Sequence, residues 1–335
     1  MDLIEPDPRS APDQLRAMTM VARAAGKGLG APQRALLDAV QQVVMETDLD
    51  VESLRPIAPA ELASRVDDPA QARQLVRLMV VMALSDGPPS KEQMSLVSSF
   101  AAAMCVEEPA VKVIGHLAKG RLLRFRLAFM RRSHVRHYLR NTYRMSGSRF
   151  AVIRAILMFR GVIRGDSETA SRFRALGDLP EDSFGHHFFR HCADADLPFP
   201  GEKGGFPEGA LYHDFTHVLT GYDTSPEGEM KNAAFQAGYT QDDHDFFVWL
   251  FSIVLHTTGV NLLPFPIEVL PGRIGQDDLA VDILRELKRG TRMKLDLGDG
   301  WSCWEYVELP IEVARERLGV APLDSIPAAR VPSTA

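Results

Sequence analysis

Helical periodicity runs through almost all of the sequence, with apolar residues returning every three to four positions; Phe246, Phe247, Trp249, Leu250, Ile253 and Val254 show it in its widest form. Alternating runs rich in Val, Ile and Tyr and bounded by hairpin turns are nearly absent. The chain is therefore expected to be all-α, with at most one short extended piece near residues 301–307. Pro, Ser and Asp mark helix starts and Gly marks several stops, which predicts helices over 13–23, 32–45, 59–65, 69–84, 90–104 and 108–117. Further helices are expected over 149–164, 168–176 and 243–255. No internal repeat is visible.

Length and composition turn this pattern into two helical domains. A chain of 335 residues, 45% apolar and 24% charged, holds enough material for two cores of about 150 residues each. The small, polar run Met145-Ser146-Gly147-Ser148 is the expected boundary, giving domains over 13–145 and 146–320. Residues 1–12 and the Pro/Ala/Ser-rich residues 321–335 are expected to be loose. Cys105, Cys192 and Cys303 lie far apart and form no CxxC pair, so neither a disulfide framework nor a cysteine zinc site is indicated, and a reducing cytoplasm fits. The acidic, proline-bearing start argues against a secretory signal, and no apolar run is long enough to span a bilayer.

Charge changes the picture in one region. The formal net charge is -6, yet between residues 109 and 165 there is no Asp or Glu, while fourteen Lys and Arg fall there. Such a split points to an anionic partner or to the protein's own acidic surface. Residues 119–145 are expected to form one long basic amphipathic helix, on which Arg131, Arg132, Arg136 and Arg140 would contact an anionic membrane surface or a partner protein. No recognised nucleic-acid motif accompanies the charge, so nucleic acid is not the expected partner.

In the first half, the run Leu78 to Gly87 followed by Ser90 and Glu92 reads as a helix, an Asp-Gly turn and a Ser-capped helix. This joint resembles that of tellurite-resistance TerB-like helical domains, a likeness covering about residues 15–120. The resemblance implies cation-binding acidic residues near the turn, matched here by Asp86 and Glu92. A plain helix-turn-helix joint accounts for the same residues.

The strongest chemical signal is Tyr212-His213-Asp214-Phe215-Thr216-His217, which places two imidazoles four residues apart, stacked on one helical face where both can grip one ion. Asp214 lies about a quarter turn aside, as a ligand or as the holder of a bound water. Glu229 follows after eleven residues and a segment of turn composition, so it can open the next helix and fold back on the histidines. Many histidine pairs at this spacing are only structural; the added glutamate favours a metal. Two histidines and two carboxylates suit a divalent cation, zinc first, with iron or manganese as alternatives. His186, His187 and His191 share another predicted helix, where they cap and face solvent or approach the site as proton carriers. His256 reads as a core histidine. Metalloproteases need Glu where Asp214 stands, and the further His and Asp of His-Asp phosphohydrolases are not evident.

His213-Asp214-x-x-His217, eleven residues and Glu229 is similar to the zinc motif of the coenzyme Q biosynthesis protein four family. The segment from Leu179 to His186, the run Leu219-Thr220-Gly221-Tyr222 with Gly228-Glu229, and the stretch Leu309 to Arg315 with Leu318-Gly319-Val320 resemble that family as well, over about residues 150–320. The resemblance implies an all-α, metal-binding protein of ubiquinone biosynthesis, tied to oxidative removal of the C1 carboxyl from a prenylated quinone precursor. It also implies a scaffold that gathers other quinone-biosynthesis proteins; with the basic helix on the membrane, the alternative expectation is a non-catalytic lipid-binding module, cytoplasmic and peripheral on the inner face of the membrane. The chain departs from the family in its TerB-like half and in Asp182-Ser183, where the family tends to have Gly-Thr.

Overall fold

The computed structural model describes residues 1, 3–26, 28–133, 139, 142–144, 146–159, 162, 165–241, 244–262, 269 and 271–325. Among them the chain is all-α: it has no strand, and only Ser183 and Pro310 form an isolated bridge. The extended piece expected near residues 301–307 is a 3-10 turn, Cys303–Glu305, packed by Trp301 and Trp304.

The first half is built from α1 (Ala11–Arg23), α2 (Ala31–Val40), α3 (Pro59–Ala63), α4 (Pro69–Leu84), α5 (Lys91–Ala103), α6 (Pro109–Ala118) and α7 (Leu122–Met130). Local sequence sets their ends. Asp68 and Glu108 accept the backbone N–H two residues on, each ahead of a proline in the first turn, and Ser90 and Gln93 form a reciprocal capping box. Gly87, at φ +113°, makes the turn between α4 and α5 in a region where a side chain would be strained. Asp86 and Glu92 belong to no three-ligand group among the described residues.

Two expectations for this half differ. Residues 3–10 lie against the fold rather than loose: Ile4 N–H donates to Gln74 Oε1 and Gln74 Nε2 donates back to Ile4 C=O, both at 2.7 Å. The long basic helix is interrupted, since α7 ends at Met130 and a turn follows at Arg131 and Arg132. With no acidic residue on this stretch to pair with the arginines at i,i+4, nothing local offsets their repulsion along a continuous helix. Arg136, Arg140 and the final residues 326–335 lie outside the described residues.

The second half contains α8 (Arg149–Phe159), α9 (Ser167–Arg174), α10 (Phe184–Asp194), α11 (Tyr212–Thr220), α12 (Pro226–Tyr239), α13 (Asp245–Thr258), α14 (Leu279–Gly290) and α15 (Ile311–Leu318). Buried apolar residues form two clusters that do not follow chain order. The larger joins α1, α2 and α4–α7 to α13, α14 and one face of α12, with Trp249, Phe246 and Phe129 fully buried. The smaller gathers α9, α10, α11 and α15 around Phe184, Phe188 and Phe215.

Helix α12 is the wall between them, and its three faces explain the site. Met230, Ala234 and Ala237 enter the large core; Phe235 and Tyr239 enter the small one. Glu229, Asn232 and Gln236, at i, i+3 and i+7, face α11. Its back lies against α14 at glycine contact distance: a Cβ on Gly238 would come within 2.4 Å of Leu287 O, and one on Gly290 within 2.0 Å of Phe235 O. Small residues here let the backbones close up and fix the height of α12.

Candidate metal centre

Helix α11 stops where it must for the site to form. Gly221, at φ +80°, ends it by donating its N–H to His217 C=O at 2.8 Å, and Arg315 of α15 donates to the free carbonyls of Leu219 and Val218 at 2.9 and 3.4 Å. The chain then turns, Ser225 caps α12 through Gly228 N–H, and Pro226 starts it, so Glu229 falls in the first turn, where the helix dipole favours a carboxylate. Cross-ties hold the two helices in register: Thr216 Oγ1 meets Tyr239 Oη at 3.0 Å and Thr220 Oγ1 donates to Asn232 Oδ1 at 3.4 Å.

This brings His213, His217 and Glu229 together, one ligand atom of each lying within 4.8 Å of the others. His213 Nε2 is 3.4 Å from one carboxylate oxygen of Glu229 and His217 Nε2 is 3.3 Å from the other. Two ligands bound about 2.0–2.1 Å from one tetrahedral ion stand about 3.3–3.4 Å apart, so the spacing suits a shared cation. The imidazole planes are nearly perpendicular, at 79°.

The protons tell more. His217 Nδ1 lies 3.0 Å from Tyr222 C=O, and a carbonyl can only accept, so Nδ1 carries the proton. In the neutral ring the Nε2 lone pair then points toward Glu229 Oε1, and that buried Nε2 makes no hydrogen bond among the described residues despite the 3.3 Å approach. A lone pair facing a carboxylate needs a proton or a cation between them. Gln236 Nε2 lies 3.1 Å from His213 Nδ1, where an amide nitrogen can only donate; a half-turn of the amide, which puts its oxygen there, is needed for Nδ1 to carry the proton and leave Nε2 to a metal.

Charge agrees with this crowding. Burial opposes ionisation of Glu229, but His213 and His217 outweigh it and hold the carboxyl far below its usual range. Burial also opposes the charged form of His213, and the Glu229 carboxylate overrides it, lifting the imidazole to about 9. Asp214 is buried, and burial pushes its carboxyl up, with Glu229 adding to the effect and the two histidines opposing it. It stands outside the three-atom cluster.

Of the three histidines on α10, His191 is the one brought to the site. Its ring stacks on His217 at 5.4 Å between centroids, its Nε2 is buried without a hydrogen-bond partner among the described residues, and burial followed by the neighbouring His217 and His213 lowers it to about 4. His186 turns instead to Leu179 C=O at 3.1 Å. His256 is buried in α13. The sequence places the three α10 histidines in one group; separating them requires knowing which face of α10 meets α11.

The chain matches no known protein family and no curated protein. The likenesses drawn from its motifs rest on those motifs alone.

Proposed function

We propose that this protein binds one divalent metal ion, zinc first, through His213, His217 and Glu229, and acts in the biosynthesis of ubiquinone or another prenylated quinone. The observation that carries the metal is the His217 Nε2 lone pair, buried and unbonded, directed at a carboxylate 3.3 Å away. The motif likeness supplies the pathway and the reaction, oxidative removal of the C1 carboxyl from the prenylated head-group precursor: the carboxyl would leave as CO2, a hydroxyl from water would take its place on the ring, and the two electrons would pass to dioxygen from solution, since zinc cannot accept them.

A bound ion would polarise the carboxylated ring. The chain's own residues position and exclude. Tyr222 C=O and Gln236 orient the two imidazoles, and Phe206 lies beside the His213 ring at 6.4 Å between centroids. Asp214, held toward its protonated form by burial, would hold a water or a precursor hydroxyl. Three protein ligands leave a fourth position free, which favours chemistry over a purely structural ion and over the rival reading of a lipid-binding scaffold. A prenylated precursor resides in a bilayer, so the protein would work in the cytoplasm as a peripheral protein on the inner face of the membrane.

The test joins metal analysis to a cellular readout. Purified protein is expected to carry about one zinc, iron or manganese per chain, lost in His217→Ala. Cells carrying only His217→Ala should lack the quinone and accumulate a C1-carboxylated precursor. Normal quinone levels would overturn the pathway assignment, and undiminished metal in the variant would overturn the site.

A further inference from the structure

Of the nine large hydrophobic residues that are exposed among the described residues, seven lie between Leu122 and Val162, inside the stretch that holds no acidic residue. Helix α7 shows how they are arranged. Phe125 and Phe129, one turn apart, are fully buried, and Phe129 packs on Phe247 and Phe251 of α13 at 5.4 and 6.1 Å between ring centroids. Leu123 and Leu127, also one turn apart, lie on the opposite face, 73% and 53% exposed. Arg124, Arg126 and Arg131 flank that ridge and are exposed too. The inner face is anchored, so the outer ridge is presented rather than free to fold inward. The local field is positive: His116, on the preceding helix, is lowered first by desolvation and then by Arg121, Arg124, Lys112 and Lys119.

We infer that the outward face of α7, the Leu123–Leu127 ridge with Arg124, Arg126 and Arg131 around it, docks the protein on an anionic phospholipid surface. An occupant must offer an apolar layer for the leucines and negative charge for the arginines. A second copy of the chain would set arginine against arginine. A nucleic acid supplies phosphate but nothing into which leucines sink. A bilayer with anionic headgroups supplies both, and its diffuse charge needs no matched geometry. Phe150 and Ile153 on α8, 75% and 55% exposed beside Arg149 and Arg154, repeat the pattern on a second helix. The inference deepens the peripheral placement proposed above and owes nothing to the metal, since α7 shares no residue with that site.

Co-sedimentation of the full chain with sucrose-loaded vesicles tests it. Vesicles of equal parts phosphatidylglycerol and phosphatidylcholine should bind the protein at least tenfold more tightly than pure phosphatidylcholine, and high salt should release it. Leu123→Ser with Leu127→Ser should weaken binding roughly tenfold, and Arg124→Gln with Arg126→Gln and Arg131→Gln by at least as much. Leu295→Ser with Leu323→Ser, exposed leucines elsewhere, should change nothing. All variants should keep the wild-type metal content, which separates failure here from failure of the metal reading. Wild-type protein that ignores anionic vesicles, or a leucine pair whose removal leaves binding intact, overturns the proposal. So does a dimer in solution that Leu123→Ser with Leu127→Ser dissolves while vesicles remain unbound.

Discussion

Two buried clusters of charge in this protein differ in whether their polar atoms are satisfied. Arg77 of α4 donates to Glu108 at 2.8 Å and to Asp245 at 2.9 Å, and lies over the Phe246 ring at 5.1 Å. Glu108 also caps α6 through Ala110 N–H, and Asp245 accepts from Phe246 N–H. Every charge there has an opposite and every carboxylate a donor. In the second cluster one carboxylate faces two imidazoles, and buried Nε2 atoms of His217 and His191 make no hydrogen bond among the described residues. A closed network explains itself by joining α4, α6 and α13. An open one has polar atoms to spare, and its donor set would suit the cation proposed above.

The sharpest way to break the contrast is to open the closed cluster. Arg77→Ala leaves buried Glu108 without its cation and half-buried Asp245 with only the Met1 ammonium at 3.4 Å, and is expected to cost about 3–5 kcal/mol, read from urea unfolding, with metal content unchanged in the protein that remains folded. A loss under about 1 kcal/mol would mean that water already screens the pair.

Glu229→Gln opens the second cluster from the other side. Metal affinity should fall at least a hundredfold by titration calorimetry, because the only carboxylate in the three-atom group is gone. In metal-free protein the same change should return His213 from about 9 toward the ordinary range near 6.5, visible by NMR titration. Unchanged titration would show that Glu229 does not govern His213. Gln236→Leu should weaken the metal less, about tenfold or more, by releasing the His213 ring from its orienting contact.

The sequence carried unequal parts of these clusters. Helix period, prolines and Ser/Asp caps marked α4, α5 and α6 within a residue or two, because those signals are local. The spacing of His213 and His217 and the turn before Glu229 are local as well, so the three residues that meet were legible. Three things were not. His191 reaches the site because Phe188 stacks on Phe215 at 4.2 Å and so docks α10 on α11, a tertiary choice with no local mark. Arg77, Glu108 and Asp245 come from three separated helices, and each alone reads as an ordinary charged position. The mixing of cores across residues 145–148 has the same origin: α12 carries three useful faces, and a pattern count sees only that it is apolar in many directions.

The last predicted effect is a slope. Without metal, His213 is protonated up to about 9 because Glu229 stabilises its charge, so metal uptake at neutral pH must displace that proton. Apparent affinity should therefore rise about tenfold per pH unit through neutrality and level off near pH 9, with close to one proton released per ion at pH 7, measurable by calorimetry in buffers of different ionisation heat. The same shift acts on the metal-free fold with the opposite sign. A histidine raised above its unfolded value near 6.5 stabilises the fold fully below that pH and loses the contribution as pH climbs through about 9. Metal-free protein should thus weaken over that interval while metal-loaded protein gains. Arg77 itself should contribute to neither trend, since its guanidinium is raised further above an already high value: burial opposes the charge, and Asp245 and Glu108 more than offset it. Parallel pH profiles with and without metal would show that the open cluster does not hold the ion.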